Sequence, residues 1–267
     1  MSTDSDGKTL VASPPPVSTI GVLGAGTMGH GIAQVAAAAG YHVVLRDVNE
    51  AAATRGLESI SRNLEKGIQR GKVTEAERDQ IIARIQTTTS IEDLRHVDLI
   101  IEAAPENLDL KQTLLREAEA IVGHDCIFAT NTSSLSINEI AEASSRPAQV
   151  VGMHFFNPVH LMRLVEIVIG ARTSESTIAA VRAVAQRMKK EPIIVRDVPG
   201  FASSRLGVTL GLEAMRMVEQ GVASARDIDT AMELGYNHPM GPLRLTDLVG
   251  LDVRLSIAEY LHGKLGS

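Results

Sequence analysis

The chain has 267 residues, a formal net charge of −6 and one cysteine. That length suits one α/β domain with a smaller partner, and the mild acidity argues against a nucleic-acid binder, which normally carries a basic stripe. Cys126 alone excludes a disulfide framework and a cysteine-based metal site, so no metal is expected, and no apolar run approaches the length of a membrane-spanning helix.

Residues 1–17 begin with Ser and Asp and end in the run Pro14-Pro15-Pro16. They read as a disordered leader, not a secretory signal, which needs a positive start and an apolar core. The cytoplasm fits this composition. Next, the apolar run Ile20-Gly21-Val22-Leu23 breaks into Gly24-Ala25-Gly26-Thr27-Met28-Gly29. Small residues follow from Ile32 to Ala39, Gly40 stops them, and a second apolar run delivers Arg46 and Asp47. The pattern predicts strand, tight turn, helix and strand. Gly24 permits the turn, Gly26 lets the backbone approach a pyrophosphate, and Gly29 lets the helix sit close to the sheet. Thr27 and Met28 lie between them at the helix N-terminus, whose N–H groups suit phosphate.

Asp47 falls about twenty residues on, where a carboxylate accepts hydrogen bonds from the adenosine ribose. A ribose 2′-phosphate would meet like charge there, which favours NAD over NADP. Arg46 could hold such a phosphate, but strand alternation points it to the opposite face.

Asn49 can cap a helical stretch to about residue 69, and Thr74 with Glu77 reads as a capping box for a second helix through Arg84. This pair is longer than a simple crossover needs and is expected to project from the sheet. Strands are predicted at 85–88, 97–102, 127–130, 149–155, 164–169 and 192–195. Helices are predicted at 107–122 and about 174–190. The alternation makes a doubly wound, mainly parallel Rossmann sheet of the α/β class over 18–197. At Val198-Pro199-Gly200 the character changes. One amphipathic helix covers 201–220, another is capped around Ser224 to Asp227, and two short helices run to Tyr260. With no strand pattern, 198–267 reads as a smaller all-helical domain.

The candidate base is His154, at the end of an apolar strand and beside the loop Phe156-Asn157-Pro158. Glu166 sits inside the apolar run Leu164-Val165-Glu166-Ile167-Val168, where a carboxylate is costly unless paired. A histidine beside it meets that need, and the carboxylate fixes its tautomer. Alone, His154 reads equally as a hydrogen-bonded core residue. In Asn131-Thr132-Ser133-Ser134, Asn131 or Ser133 can bind a substrate oxygen, but the serines serve equally as caps for the helix that follows. Cys126, beside Ile127-Phe128-Ala129, reads as a buried inert thiol.

These segments, with Pro105-Glu106-Asn107, Pro199-Gly200-Phe201 and His238-Pro239-Met240-Gly241-Pro242, resemble the short-chain L-3-hydroxyacyl-CoA dehydrogenases of the 3-hydroxybutyryl-CoA type. The resemblance spans nearly everything after the leader. It implies oxidation of an L-3-hydroxyacyl-CoA by NAD, with His154 as general base, Glu166 orienting it and Ser133 bonding the substrate oxygen. It also implies cofactor contacts at Asp47, Glu106, Lys111, Ser133 and Asn157, a CoA phosphate partner at Lys66, a role in fatty acid metabolism and a homodimer. Two departures stand out. Ser204 occupies the place of the family's usual asparagine in Gly-Phe-x-x-Asn-Arg, where a shorter side chain still offers one hydrogen bond. The chain also stops at Ser267, where relatives continue into a tail rich in Gly and basic residues, so the second domain is either truncated or lacks that tail. A related dehydrogenase of a free hydroxy acid or sugar acid would need a cationic clamp, and no arginine at a matched site position supplies one. A catalytically idle NAD-binding relative is opposed by the joint presence of Ser133, His154 and Glu166.

Overall fold

The computed structural model describes residues 16–266. The expected leader therefore lies outside the described residues apart from Pro16 and Val17, and Val17 packs against the core. The chain divides into two compact units, Met1–Asp197 and Val198–Ser267. Among the described residues no helix is long and apolar enough to cross a membrane.

The first unit is an eight-stranded sheet in the order β3-β2-β1-β4-β5-β6-β7-β8. Its strands are β1 (Thr19–Leu23), β2 (His42–Arg46), β3 (Ile85–Thr88), β4 (Leu99–Glu102), β5 (Ile127–Thr130), β6 (Val150–Phe155), β7 (Leu164–Ile169) and β8 (Glu191–Arg196). The helices are α1 (Gly29–Ala38), α2 (Glu50–Gln69), α3 (Glu75–Ala83), α4 (Leu108–Glu119), α5 (Ile137–Ala141) and α6 (Glu175–Arg187). The apolar runs are interior because both faces are covered: β4 and β5 are buried throughout, as such strands must be in a parallel sheet. Every strand pair is parallel except β6 with β7. The order reverses between β1 and β4, and ligands bind outside the carboxyl ends of strands at such a switch point.

The α2–α3 pair departs from expectation. It packs against α1 and β3, where its length predicts a projecting hairpin. The cause is a buried stripe on α2, Ala53, Gly56, Ile60 and Leu64, at helical spacing. Gly56 permits the approach, since a Cβ there would come within 2.7 Å of the Ala25 Cβ. Asn49 caps α2 and the Thr74–Glu77 box caps α3.

The second unit holds α7 (Ser203–Glu219), α8 (Ala225–Gly235), α9 (Pro242–Val249) and α10 (Leu251–Leu265). Asp229 on α8 caps α9, its carboxylate oxygens accepting from Leu243 N at 2.8 Å and Arg244 N at 3.0 Å. The last helix runs through to Leu265, well beyond the expected end at Tyr260.

Candidate active site

The carboxyl ends of β1, β2 and β4 open onto a cleft of about 570 Å³, whose lining includes Gly26, Thr27, Met28, Asp47, Ala104 and Pro105. Gly24 has φ +96°, and a Cβ there would lie 2.8 Å from Ala103 O. At Gly29 a Cβ would come within 1.7 Å of Gly24 O, whereas Gly26 has open space around it. The turn therefore requires glycine at two positions for the fold and leaves the third bare towards the cleft. Helix α1 starts there with no side-chain cap and no acid in its first turn. By contrast α2, α3, α4, α5 and α6 are each capped by a side chain. Backbone N–H groups at an uncapped terminus suit a pyrophosphate. Asp47 closes the cleft's mouth, its Oδ2 accepting from Ala25 N and its Oδ1 from Val48 N, both at 2.7 Å. Arg46 also lines the cleft and donates from Nε to Thr89 O at 3.3 Å. Bare turn, uncapped helix and placed carboxylate together fit a dinucleotide.

Farther along the sheet, His154 and Glu166 face each other across the antiparallel β6–β7 pair. His154 Nδ1 lies 2.7 Å from Glu166 Oε2, with Glu166 wholly buried and the imidazole nearly so. The carboxylate accepts only, so Nδ1 carries the donated hydrogen. The pair meets the need of a buried carboxylate for a partner, as the apolar run around Glu166 predicts. The Phe156 ring packs against the imidazole, centroids 4.5 Å apart.

The loop after β5 separates the two serine readings. Ser136 caps α5, accepting from Glu139 N, while Ser133 and its neighbours gather around Glu106. Glu106 Oε1 accepts from Thr132 Oγ1 at 2.6 Å, Ser133 N at 3.0 Å, and Ser134 N and Oγ at 3.1 Å. Burial pushes the Glu106 carboxyl up, but Lys111 and these hydrogen bonds outweigh it and hold it below the ordinary value. Asn131 acts on the backbone, where its Oδ1 accepts from Phe155 N at 2.8 Å and ties this loop to the end of β6.

Lys111 differs from an open cofactor ligand. It is 1% exposed and bonds the fully buried Glu102, because an ammonium inside the fold is drawn to carboxylates. Asn157 is exposed in the loop after β6. Lys66 is exposed near the end of α2. It adds to an effect on His160, whose imidazole is pushed down first by burial, then by His30, Lys190 and Lys66. Ser204 belongs to the second unit, in the first turn of α7. Cys126 is buried and its thiol is pushed up to about 12, mainly by burial.

Residues 19–198 match the model of the 3-hydroxyacyl-CoA dehydrogenase NAD binding domain, and residues 200–267 match that of the C-terminal domain. The chain belongs to the 3-hydroxyacyl-CoA dehydrogenase family. It is an oxidoreductase that uses NAD to oxidise 3-hydroxyacyl-CoA. A Bacillus subtilis protein named "Probable 3-hydroxybutyryl-CoA dehydrogenase" is 46% identical over 250 residues, 94% of this chain and 87% of that one. The 3-hydroxybutyryl-CoA dehydrogenase of Clostridioides difficile is 43% identical, over 92% of this chain and 88% of its own. Among solved structures, the (S)-3-hydroxybutyryl-CoA dehydrogenase of Ralstonia eutropha superposes with a TM-score of 0.91 at 44% identity, covering 94% of this chain and 89% of that chain.

Sequence reasoning passed over Glu102 and Thr130. The signal for Glu102 was the one that exposed Glu166, an acid closing an apolar strand that needs a buried partner. Thr130 Oγ1 donates to Glu102 Oε2 at 2.6 Å.

Proposed function

We propose that this enzyme acts on short-chain L-3-hydroxyacyl-CoA, with 3-hydroxybutyryl-CoA preferred, and that His154 is its general base. The observation that carries the reading is the buried His154–Glu166 pair at 2.7 Å. The glycine turn and Asp47 would hold NAD, which would supply the acceptor for the hydride of the substrate's C3. The hydroxyl proton passes to His154 Nε2, the C3–O bond gains double-bond character, and the imidazolium is stabilised by the Glu166 carboxylate. Ser133 donates to the substrate oxygen, and the Ser204 hydroxyl takes the role of the asparagine that the family resemblance implies. Asp47 receives the ribose hydroxyls, Glu106 and Asn157 support the cofactor, and Lys111 acts on it through Glu106. The CoA phosphates are received near Lys66, whose charge together with that of Lys190 is felt at His160.

The enzyme works as a homodimer through its second unit, in the cytoplasm and in fatty acid metabolism. Support for the dimer comes from the exposed apolar face of Leu206, Leu248, Leu251 and Leu255. A groove of about 250 Å³ between α7, α9 and α10 adjoins it, and Arg254 Nε is buried there without a partner among the described residues. Light scattering at dilute concentration tests this, and a monomer would refute it.

The deciding experiment for the reaction compares initial rates of NADH formation on free 3-hydroxybutyrate, 3-hydroxybutyryl-CoA and longer acyl-CoA thioesters. The highest kcat/KM is expected on the four-carbon thioester. Preference for the free acid would refute the CoA reading, and preference for a long chain would refute the short-chain one.

A further inference from the structure

We infer that Glu102 and Lys111 are positioning residues that latch the cofactor-wall loop to the loop bearing Ser133. The inference rests on the substrate role proposed for Ser133. The two side chains are 0% and 1% exposed, and neither lines the dinucleotide cleft. Glu102 uses both carboxylate oxygens. Oε1 accepts from Lys111 Nζ at 2.8 Å and Ala104 N at 2.6 Å. Oε2 accepts from Lys111 Nζ at 3.0 Å and Thr130 Oγ1 at 2.6 Å.

Each partner belongs to one of the two loops or to its base. Ala104 is in the wall of the cleft, and Thr130 is the last residue of β5, just before the Ser133 loop. The Glu102 backbone makes the same connection, with Asn131 N donating to Glu102 O at 2.7 Å. Lys111 extends the latch. Its ammonium donates to Ala104 O at 3.2 Å and lies 3.5 Å from Glu106 Oε2. Glu106, through its other oxygen, accepts from Ser133 N and Ser134 N.

A buried ion pair adds little net stability compared with an apolar filling of similar volume. What this one supplies is a fixed distance between the wall of the cofactor cleft and the serine that meets the substrate. Hydride transfer is sensitive to such distances, since a misplacement of about 1 Å costs on the order of a hundredfold in rate. The pyrophosphate and ribose ends of the cofactor rest on the glycine turn and Asp47, to which the Glu102 and Lys111 side chains make no hydrogen bond among the described residues. Loss of the latch should therefore slow turnover while leaving dinucleotide affinity nearly intact.

The test is the pair-removing variant Glu102→Gln/Lys111→Met, beside Glu102→Gln and Ser133→Ala. Taking both charges away removes the buried unpaired ammonium that Glu102→Gln alone leaves, and Glu106 keeps its loop hydrogen bonds when Lys111 goes, so the double variant should melt no lower than Glu102→Gln alone. Its kcat on 3-hydroxybutyryl-CoA should fall by about ten- to a hundredfold, while Kd for NADH stays within about threefold. A folded double variant with wild-type kcat would overturn the inference. So would an equal loss in NADH affinity, which would make Lys111 a direct cofactor ligand. If the double variant fails to fold, Thr130→Val decides: a lower kcat at unchanged NADH affinity supports the latch, and wild-type kcat overturns it. Ser133→Ala separates the two readings. Normal turnover there removes the substrate role of Ser133, whereas slow turnover beside a normal double variant removes only the latch.

Discussion

Replacing His154 by Gln is the most direct perturbation of the chemistry. Gln keeps a donor towards Glu166 Oε2, now 2.7 Å from Nδ1, but has no basic nitrogen to take the hydroxyl proton. A positioned base contributes about 10²–10⁴-fold, so kcat should fall by that factor, about 2.7–5.4 kcal/mol on the barrier at 1.36 kcal/mol per decade. The burial of Glu166 sets the structural cost. A wholly buried carboxylate that exchanges a strong partner for a neutral one forfeits about 1–3 kcal/mol of stability, which a domain of this size should survive. Glu166→Gln should lose less turnover, because the amide carbonyl can still accept from Nδ1 and keep the tautomer. The double variant should be non-additive, since the two side chains act as one unit. Steady-state kinetics on the three variants reads these effects, and NADH titration checks that the cleft, more distant on the sheet, stays intact. Near-normal turnover in a folded His154→Gln enzyme would refute the assignment of the base.

Asp47, held at the mouth of the cleft by Ala25 N and Val48 N, should favour NAD over NADP by at least about tenfold, roughly 1.4 kcal/mol. Asp47→Ala should narrow that ratio in kcat/KM, and equal use of both cofactors by the wild type would hand the ribose pocket to Arg46. Ser204→Asn should keep or raise activity while Ser204→Ala lowers it, and an unchanged rate in the alanine variant would remove this side chain from the reaction. Glu106 gives a pH test. Burial raises it, Lys111 and the loop hydrogen bonds lower it further, and the net shift is downward. Its stabilisation is therefore complete above the ordinary carboxylate value of ~4.3 and is lost as pH falls through the lower folded value. Tm measured from about pH 6 to pH 3 should drop less steeply in Glu106→Gln than in the wild type, and identical slopes would show that this carboxylate is not coupled to folding.

Much of the fold is legible in the residues because local signals agree with the tertiary result. Asn49, the Thr74–Glu77 box and Ser224 each cap the helix that their chemistry announces. What escapes the sequence is what depends on packing at a distance. The length of the α2–α3 pair suggests that it stands off the sheet, and only the fit of Gly56 against Ala25 shows that it lies down. Length carries no information about that contact. In the site, His154 and Glu166 are readable because a polar residue in an apolar run has to be paired. Glu102 obeys the same rule. Its partner Lys111, however, sits on a helix rich in polar residues, where a buried lysine does not stand out from exposed ones. Ser133 could not be separated from a capping serine by type, and it took the Ser136–Glu139 bond to divide the roles.

The sheet's single reversal explains why the dyad is where it is. Parallel strands need a crossover, so residues brought opposite each other are far apart in sequence. The β6–β7 hairpin instead returns directly and sets His154 against Glu166, both on one face, at the spacing of a cross-strand pair. The parallel half supplies the cofactor turn at its switch point, and the antiparallel pair carries the proposed base. Asn131 joins them, because its bond to Phe155 N fixes the Ser133 loop to the residue after the base. The chemistry thus depends on strand register as much as on the side chains. A slip of one residue would put His154 opposite Val165 or Ile167 and turn Glu166 to the other face, since side chains alternate along a strand. The apolar neighbours of Glu166, Val165 and Ile167, are both fully buried, and such a slip would exchange that buried face for a carboxylate. The core that stabilises the hairpin is therefore also what holds His154 to Glu166.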